Sequence, residues 1–239
     1  MSDLADFVSL LAEPGPWTFA YCDGSRRELS RSDLEHDLER AEAPDDDVDQ
    51  LLRAFDTGSA SRIASSVRYI LVRDGEVIVN ATLAGRRCRR EFAGHDSVPP
   101  VLPMLWHGRD FAASALRGAG SPDTHVRIGG TEAVLEAVQR GQVATLLLDV
   151  RMWTSEKTLE ALATEPWVGD RERTDIAGYG PVAVAEALAR AALLSGARVV
   201  VEEHADEIAR SARAARPPRA ILYEPVHEPA APQVPALAA

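Results

Sequence analysis

The chain has 239 residues, of which 46% are hydrophobic, and its formal net charge is −11 at pH 7. This length and composition are typical of a globular protein with one large domain or two ordinary ones. The negative charge excludes a general nucleic-acid coat, because phosphate binding relies on dense Lys and Arg, but a local basic patch can still dock on RNA.

Membrane insertion and a disulfide framework are not expected either. No window approaches the roughly 20 continuous apolar residues of a membrane span, and the acidic start (Asp3) lacks a signal peptide's basic residues. The two cysteines, Cys22 and Cys88, have no His or Cys neighbours at zinc-ligand spacing. We therefore expect a cytoplasmic protein with reduced thiols, no membrane contact and no metal or other cofactor.

Residues 1–107 predict a mixture of helices and strands. Helices are expected over 3–12, over about 30–41 with Ser30 as N-cap, and from Pro44 onward. Strands are expected over 17–22, 67–72 and 76–83, and Asp74-Gly75 joins the last two in a tight hairpin. Residues 98–106 are proline-broken and apolar, which indicates a packed segment.

An acidic stretch runs through the second and third of these helices. From Arg31 to Gln50 nine acids stand against two arginines. An electronegative partner surface and a solvated helical face are both compatible with this composition, and the solvated face is the preferred interpretation.

Residues 128–150 predict a loop, a helix, a glycine stop and a buried strand, in that order. Gly129-Gly130 leads into Thr131, the expected N-cap, and Glu132 lies where the helix dipole favours an acid. Gly141 suits the left-handed residue that closes a helix. The apolar run 143–148 predicts a strand buried on both faces, as in a sheet with helices on each side.

The rest of the chain continues the alternation of helices and strands. Helices are predicted over 155–164, over 182–194 with Pro181 at the first turn, and over 205–215. The segment 165–180 is expected to be a loop, and strands are expected over 197–201 and 220–223. The Pro- and Ala-rich tail 226–239 is predicted to be disordered.

The stretch GGTEAVLEAVQRGQVATLLLDV, at residues 129–150, resembles the opening of the third domain of archaeal and eukaryotic peptide-release factors and Pelota. That domain is similar to the kink-turn-binding ribosomal proteins. More closely, the chain resembles the bacterial release-factor-like family of Balon-type ribosome-hibernation factors and their actinobacterial relatives. The resemblance implies an α/β fold whose C-terminal part is an α/β/α sandwich, with the element order helix, strand, helix, helix, strand, helix, strand.

The resemblance also implies a division of the chain. Residues 1–107 resemble the first domain of that family, through the stretches around 14–25 and 98–106, and residues 124–225 resemble the third. Residues 108–123 are expected to be a linker that few contacts cross. The family's middle domain, the part that enters the peptidyl-transferase centre, is missing.

Two arginine sets are candidates for contact with ribosomal RNA. The first comprises Arg86, Arg87, Arg89 and Arg90, and the second Arg210, Arg213 and Arg216, continued by Arg219. The first set is equally compatible with an edge-strand gatekeeper or a surface facing the acidic helices. For the second, a solvated helix face is preferred over binding of rRNA or an acidic protein.

The Gly129-Gly130 pair is not the catalytic Gly-Gly-Gln of release factors, because Thr131 follows it. By resemblance to the kink-turn binders, Glu132, Ala133 and Glu136 occupy the Asn, Glu and Lys positions of their RNA-binding loop. Since a carboxylate replaces the lysine, phosphate attraction becomes repulsion and kink-turn binding is not expected.

The sequence therefore favours a non-enzymatic, ribosome-associated protein that acts in translation under stress, in hibernation or rescue. No nucleophile elbow, P-loop, dinucleotide fingerprint or zinc-protease motif is present. The alternative is a small α/β enzyme with a site among Tyr179, Glu202, Glu203 and His204, because α/β folds place ligands at strand and helix ends. The oligomeric state stays open.

Overall fold

The computed structural model describes residues 4–23, 31–57, 67–83, 91–107, 126–154, 156–170, 177–202 and 216–223. Several predicted features lie outside these residues. Among them are the Ser30 cap, the linker 108–123, the helix 205–215 and the tail 226–239.

The first part of the chain forms a four-stranded antiparallel sheet, here called sheet A, with the order β3-β2-β1-β4. Its strands are β1 (Trp17–Asp23), β2 (Val67–Arg73), β3 (Glu76–Leu83) and β4 (Phe92–Asp96). The predicted hairpin is confirmed, with Asp74 and Gly75 at φ angles of 54° and 73°. A two-residue turn with positive φ at both positions matches the twist of the flanking strands.

The described part of residues 1–107 also contains the helices α1 (Leu4–Leu11), α2 (Arg31–Arg40), α3 (Asp45–Thr57) and the short α4 (Leu102–His107). Helices α2 and α3 cover one face of the sheet by burying Leu34, Leu38 and Leu51 against Ile70. Most acids of α2 and α3 are exposed, as the solvated-face interpretation predicts. Asp37 is half-buried, and Asp47 is buried, where its carboxylate accepts hydrogen bonds from the Thr18 hydroxyl and the Gly75 N–H.

Sheet B is mixed and has the order β10-β6-β11-β5. Its strands are β5 (Arg127–Gly129), β6 (Val143–Asp149), β10 (Arg198–Glu202) and β11 (Arg219–Leu222). Strands β6 and β10 run parallel, whereas β11 is antiparallel to both β6 and β5. Among the described residues, the helices α5 (Thr131–Gln139) and α6 (Val184–Leu194) pack against this sheet and each other.

The predicted helix, glycine stop and strand at 128–150 are present, with two corrections. Gly130, at φ 101°, is the N-cap of α5, and no side chain caps it, so Thr131 is the first helical residue. Strand β6 is not buried on both faces: Leu146 and Leu148 are buried, but Leu147 is only half-buried. The core therefore lies against one face of β6 in the part of the chain that the structure describes.

Residues 158–183 contain a third sheet, sheet C, that was not predicted. Its strands β7 (Thr158–Leu162), β8 (Val168–Gly169) and β9 (Gly178–Ala183) are antiparallel, with β7 in the centre. The predicted helix 155–164 is therefore wrong, and the predicted loop 165–180 is interrupted by β8 and by the first residues of β9. Pro181 lies in β9, at an edge of the sheet, where its missing N–H is tolerated.

The α/β fold class is confirmed, but the implied element order of the third domain is not. In the described residues a three-stranded sheet occupies the place of one predicted helix, between β6 and α6. No helix in the described ranges is long and apolar enough to cross a membrane.

Residues 1–107 are joined to residues 124–225 by a shared hydrophobic cluster and by packing of helices. One hydrophobic cluster contains Phe7, Leu11 and Trp17 from the first part together with Leu188 and Ala191 from the second. Helix α1 packs against α6, and α4 packs against both α6 and β10. The two parts, hereafter the N-terminal half (1–107) and the C-terminal half (124–225), thus contribute apolar side chains to one cluster.

Candidate functional site

The topology of sheet B brings the ends of several strands to one edge of the sheet. Strands β6 and β10 end together, with Asp149 opposite Glu202, and β11 begins beside them at Arg219. Strand β5 ends at the same level, because Gly129 pairs with Arg219. We name this side the carboxyl edge, and its residues are Gly130, Asp149, Arg151, Glu202, Arg216 and Arg219.

Asp149 is the buried anion of the carboxyl edge, only 6% exposed. Its carboxylate accepts hydrogen bonds from the Arg151 N–H and guanidinium and from the Arg216 backbone N–H, at 3.3 Å for the last. Burial raises the pKa of Asp149, but these hydrogen bonds and the charge of Arg151 outweigh it and hold the pKa at about 2. Asp149 thus ties the start of the 3₁₀ helix (Val150–Thr154) to the strand entry of β11.

A second ion pair lies beside the first. The Arg219 guanidinium donates to the Glu202 carboxylate, which joins the end of β10 to the start of β11 across the sheet. The Arg219 side chain stays 42% exposed and the Arg151 side chain 29% exposed. The Arg219 guanidinium has five N–H donors, so it can donate to an external anion while its Nη2 holds Glu202.

Binding suits this edge better than proton-transfer catalysis. A general acid or base works best when its pKa lies near the working pH, and the pKa of Asp149 at about 2 is far below neutrality. The Glu202 carboxylate is occupied by Arg219. What the carboxyl edge offers a ligand is therefore a pair of partly exposed guanidinium groups with fixed positions.

Replacing Asp149 by asparagine is expected to lower the free energy of unfolding at pH 7 by about 2 kcal/mol, the value of a pKa held near 2 instead of 3.8. Since the folded-state pKa is depressed, this stability is present above about pH 4 and is lost as the pH falls toward 2. Urea unfolding of wild type and variant at pH 7 and pH 2.5 measures the difference. Glu136→Gln, at an exposed ion pair, is the control and should change little.

The structure describes only part of the predicted arginine sets. Arg86, Arg87, Arg89 and Arg90 lie outside the described residues, as do Arg210 and Arg213. Arg216 and Arg219 are described, and both belong to the carboxyl edge. Neither lies on a helix, because Arg216 precedes β11 and Arg219 begins it.

The described residues of the alternative enzyme site are not brought together. Tyr179 lies in β9 of sheet C, where its hydroxyl donates to the Ala12 carbonyl at 3.3 Å. Glu202 lies in sheet B and pairs with Arg219. Glu203 and His204 lie outside the described residues.

The loop that resembles the kink-turn-binding loop lies at the carboxyl edge. Gly130 donates its N–H to the Pro218 carbonyl at 3.0 Å, which joins this loop to the entry of β11. Glu132 is exposed, and Glu136 forms an exposed ion pair with Arg140. Both carboxylates therefore lie on the solvent side of α5.

Sequence reasoning missed two charged residues in the middle of α6. Glu186 and Arg190 are 9% and 1% exposed. Arg190 donates to the carbonyls of Leu11, Leu162 and Trp167 at 2.8, 3.1 and 3.1 Å. Burial lowers the pKa of Arg190 to about 10, so the guanidinium stays charged near neutrality. The available signal was a Glu and an Arg four residues apart in an otherwise apolar helix.

Within the described ranges no group of three or more His, Cys, Asp or Glu side chains is placed to hold a metal ion. No protein-family model matches the chain. The curated proteins give no significant match to it.

Proposed function

We propose that the protein is a non-enzymatic, ribosome-associated factor of the release-factor-like type that acts in translation under stress, in hibernation or rescue. The observation that carries the proposal is the unit 128–150, whose loop, α5, Gly141 and β6 follow one another as the resemblance implies. Gly141 has a φ angle of 64°, the left-handed conformation that closes the helix before the strand.

The charges of the carboxyl edge support docking of the C-terminal half on a partner. Arg151 and Arg219 are anchored by ion pairs and remain partly exposed, and Arg216 is exposed next to them. Anchored guanidinium groups lose less conformational freedom on binding than free ones, so they suit phosphate or carboxylate groups of a partner. The partner is then a ribosome or a translation-associated protein in the cytoplasm.

The length of chain between the two halves shapes the proposed role. Only residues 108–125 separate His107 from Val126, which leaves no room for the middle domain of the release-factor-like family. A protein without that domain does not reach the peptidyl-transferase centre as those factors do. We therefore propose an adaptor or a paralogue that docks without acting in that centre.

Co-sedimentation tests the proposal. Tagged protein is expected in the ribosomal fractions of lysates from starved cells, and less of it in those from growing cells. A strain that carries the tag on an unrelated acidic protein of similar size is the control for non-specific co-sedimentation with ribosomes. Consistent absence from the ribosomal fractions under both conditions contradicts the proposed function.

Replacing Arg86, Arg87, Arg89 and Arg90 by glutamine is expected to weaken ribosome binding and to flatten its dependence on salt. Each neutralised phosphate releases condensed counterions, so affinity falls with salt in proportion to the number of contacts. The measurement is the dissociation constant for purified ribosomes across a series of salt concentrations. Glu132→Gln with Glu136→Gln is the matched control, which should bind no more weakly than wild type.

The arginine variant also distinguishes docking on rRNA from docking on a protein. If it binds as tightly as wild type at every salt concentration, this arginine set does not contact rRNA. Arg219→Gln, at the carboxyl edge, then tests whether the C-terminal half docks on a protein instead.

A further inference from the structure

The segment that leads into α4 is held by a carboxylate from the other half of the chain. Glu186, in α6, accepts hydrogen bonds from the Val101 N–H at 2.7 Å and from the Leu102 N–H at 3.1 Å. Both amides donate to the same oxygen, Oε2, and the Leu102 N–H also lies 3.4 Å from Oε1. Pro99, Pro100 and Pro103 lack an N–H, so these two amides are the donors that this short segment can offer.

No basic side chain among the described residues neutralises Glu186. Arg190 lies one helical turn further along α6, where an ion pair is sterically allowed. Its guanidinium instead donates to the carbonyls of Leu11, Leu162 and Trp167. Within the described ranges, Glu186 is therefore a buried carboxylate held by two backbone amides, on a helix that packs against α1 and α4 of the N-terminal half.

Two further hydrogen bonds hold the segment that leads into α4. The Tyr69 hydroxyl donates to the Pro100 carbonyl at 2.8 Å, next to the amides that Glu186 holds. The Ser97 hydroxyl donates to the Tyr179 carbonyl, which ties the start of this segment to sheet C. Residues 97–102 are thus fixed by partners from β2, β9 and α6. Of these three partners, Glu186 is the one that contributes a carboxylate.

The charged groups around α6 do not offset the charge of Glu186. Tyr69 is the titratable neighbour that responds to it, since burial and the Glu186 charge raise the pKa of Tyr69 well above its ordinary value. The titratable and charged side chains on the described elements that pack against α6 are His107, Glu132, Glu136, Asp149, Arg151, Glu160, Tyr179, Arg198 and Glu202. Several of these have partners of their own: His107 bonds Tyr21, Asp149 pairs with Arg151, and Glu202 pairs with Arg219.

We propose that Glu186 is a proton-sensitive clasp between the two halves: when the pH rises through neutrality, its ionisation loosens the attachment of residues 101–107 to α6. The clasp sets how readily α4 separates from the C-terminal half. It acts independently of any ribosome contact.

The direction of the effect follows from linkage. Burial raises the pKa of Glu186 to about 7, although the two amide hydrogen bonds oppose this shift. Local opening exposes the carboxyl to water, where its pKa returns toward 4.5. The closed state therefore binds more protons than the open state between these values, so opening becomes more favourable as the pH rises.

Hydrogen exchange measures the opening directly. The amides of residues 104–107, after correction for the intrinsic rate, should lose about tenfold of their protection between pH 6 and pH 8 in the wild-type chain. In Glu186→Gln this change should vanish, because the amide oxygen can still accept both N–H groups but the side chain no longer ionises. Glu136→Gln, which removes an exposed carboxylate from α5, should behave like wild type.

Amides of α3 serve as the internal reference, since α3 packs on the opposite face of sheet A. The same loss of protection in α3 as in α4 means that Glu186 acts on global unfolding, and this overturns the clasp. Equal pH dependence in wild type and Glu186→Gln overturns it as well. If the variant does not fold, NMR titration of the Glu186 side-chain carboxyl in the wild type decides: a midpoint near 7 supports the clasp, and one near 4.5 refutes it.

Discussion

Replacing Arg190 by methionine is expected to lower the free energy of unfolding by about 3 kcal/mol, because hydrogen bonds from a charged donor to buried carbonyls are lost. The Leu11 and Leu162 carbonyls each lose the guanidinium as a donor. The Trp167 carbonyl keeps one hydrogen bond, from the Leu162 N–H at 2.9 Å. Methionine fills a similar volume, so the change reports on the polar contacts more than on a cavity.

Urea unfolding at pH 7 measures this loss, and Arg140→Met provides the control. Arg140 forms one exposed ion pair with Glu136, so its replacement should cost at most about 0.5 kcal/mol. A loss for Arg190→Met no larger than the control would contradict the structural role of the guanidinium. The relief of its own burial, which includes an Nη2 atom without a hydrogen-bond partner, would then offset the three lost bonds.

Elements specified by local chemistry could be predicted from the sequence. The Asp74-Gly75 turn fixes the β2–β3 hairpin because both residues tolerate positive φ. Helix α5 and its stop at Gly141 follow in the same way from apolar spacing and a left-handed glycine. Each of these signals lies within a few residues of the structure that it specifies.

Sheet C shows where local signals fail. Thr158 to Leu162 reads Thr-Leu-Glu-Ala-Leu, and Leu, Glu and Ala favour a helix. The segment is nevertheless the central strand of sheet C, because β8 and β9 pair with it on both sides. Partners from residues 168–183 thus override the helical preference of the segment, and Pro181 is accommodated at the edge.

The residues of the candidate site also divide into those that the sequence predicts and those that only the structure shows. The sequence predicts polar residues after β6 and β10, where α/β folds place ligands, and Glu202 was proposed as a residue of the alternative enzyme site on that basis. The partners of Glu186 and Arg190 could not be predicted from the sequence, since Val101 lies 85 residues before Glu186 and Leu11 lies 179 residues before Arg190. Only the tertiary fold shows that these charges hold the N-terminal half.

Expressed as separate chains, residues 1–115 and 116–239 are expected to fold only when they are combined. One hydrophobic cluster unites Phe7, Leu11 and Trp17 of the first chain with Leu188 and Ala191 of the second. Separation exposes this apolar surface to water, at a cost of about 25 cal/mol per Å². It also removes the amide donors of Glu186 and one acceptor of Arg190.

The measurement is cooperative unfolding, followed by circular dichroism for each chain alone and for their equimolar mixture. The mixture should form a 1:1 complex in size-exclusion chromatography and unfold in one transition, whereas each chain alone should unfold without a cooperative transition. The intact chain is the reference for secondary structure. If residues 116–239 alone unfold cooperatively and do not bind residues 1–115, the C-terminal half is an autonomous domain. The shared cluster would then be an interface between two folded domains, each stable without the other.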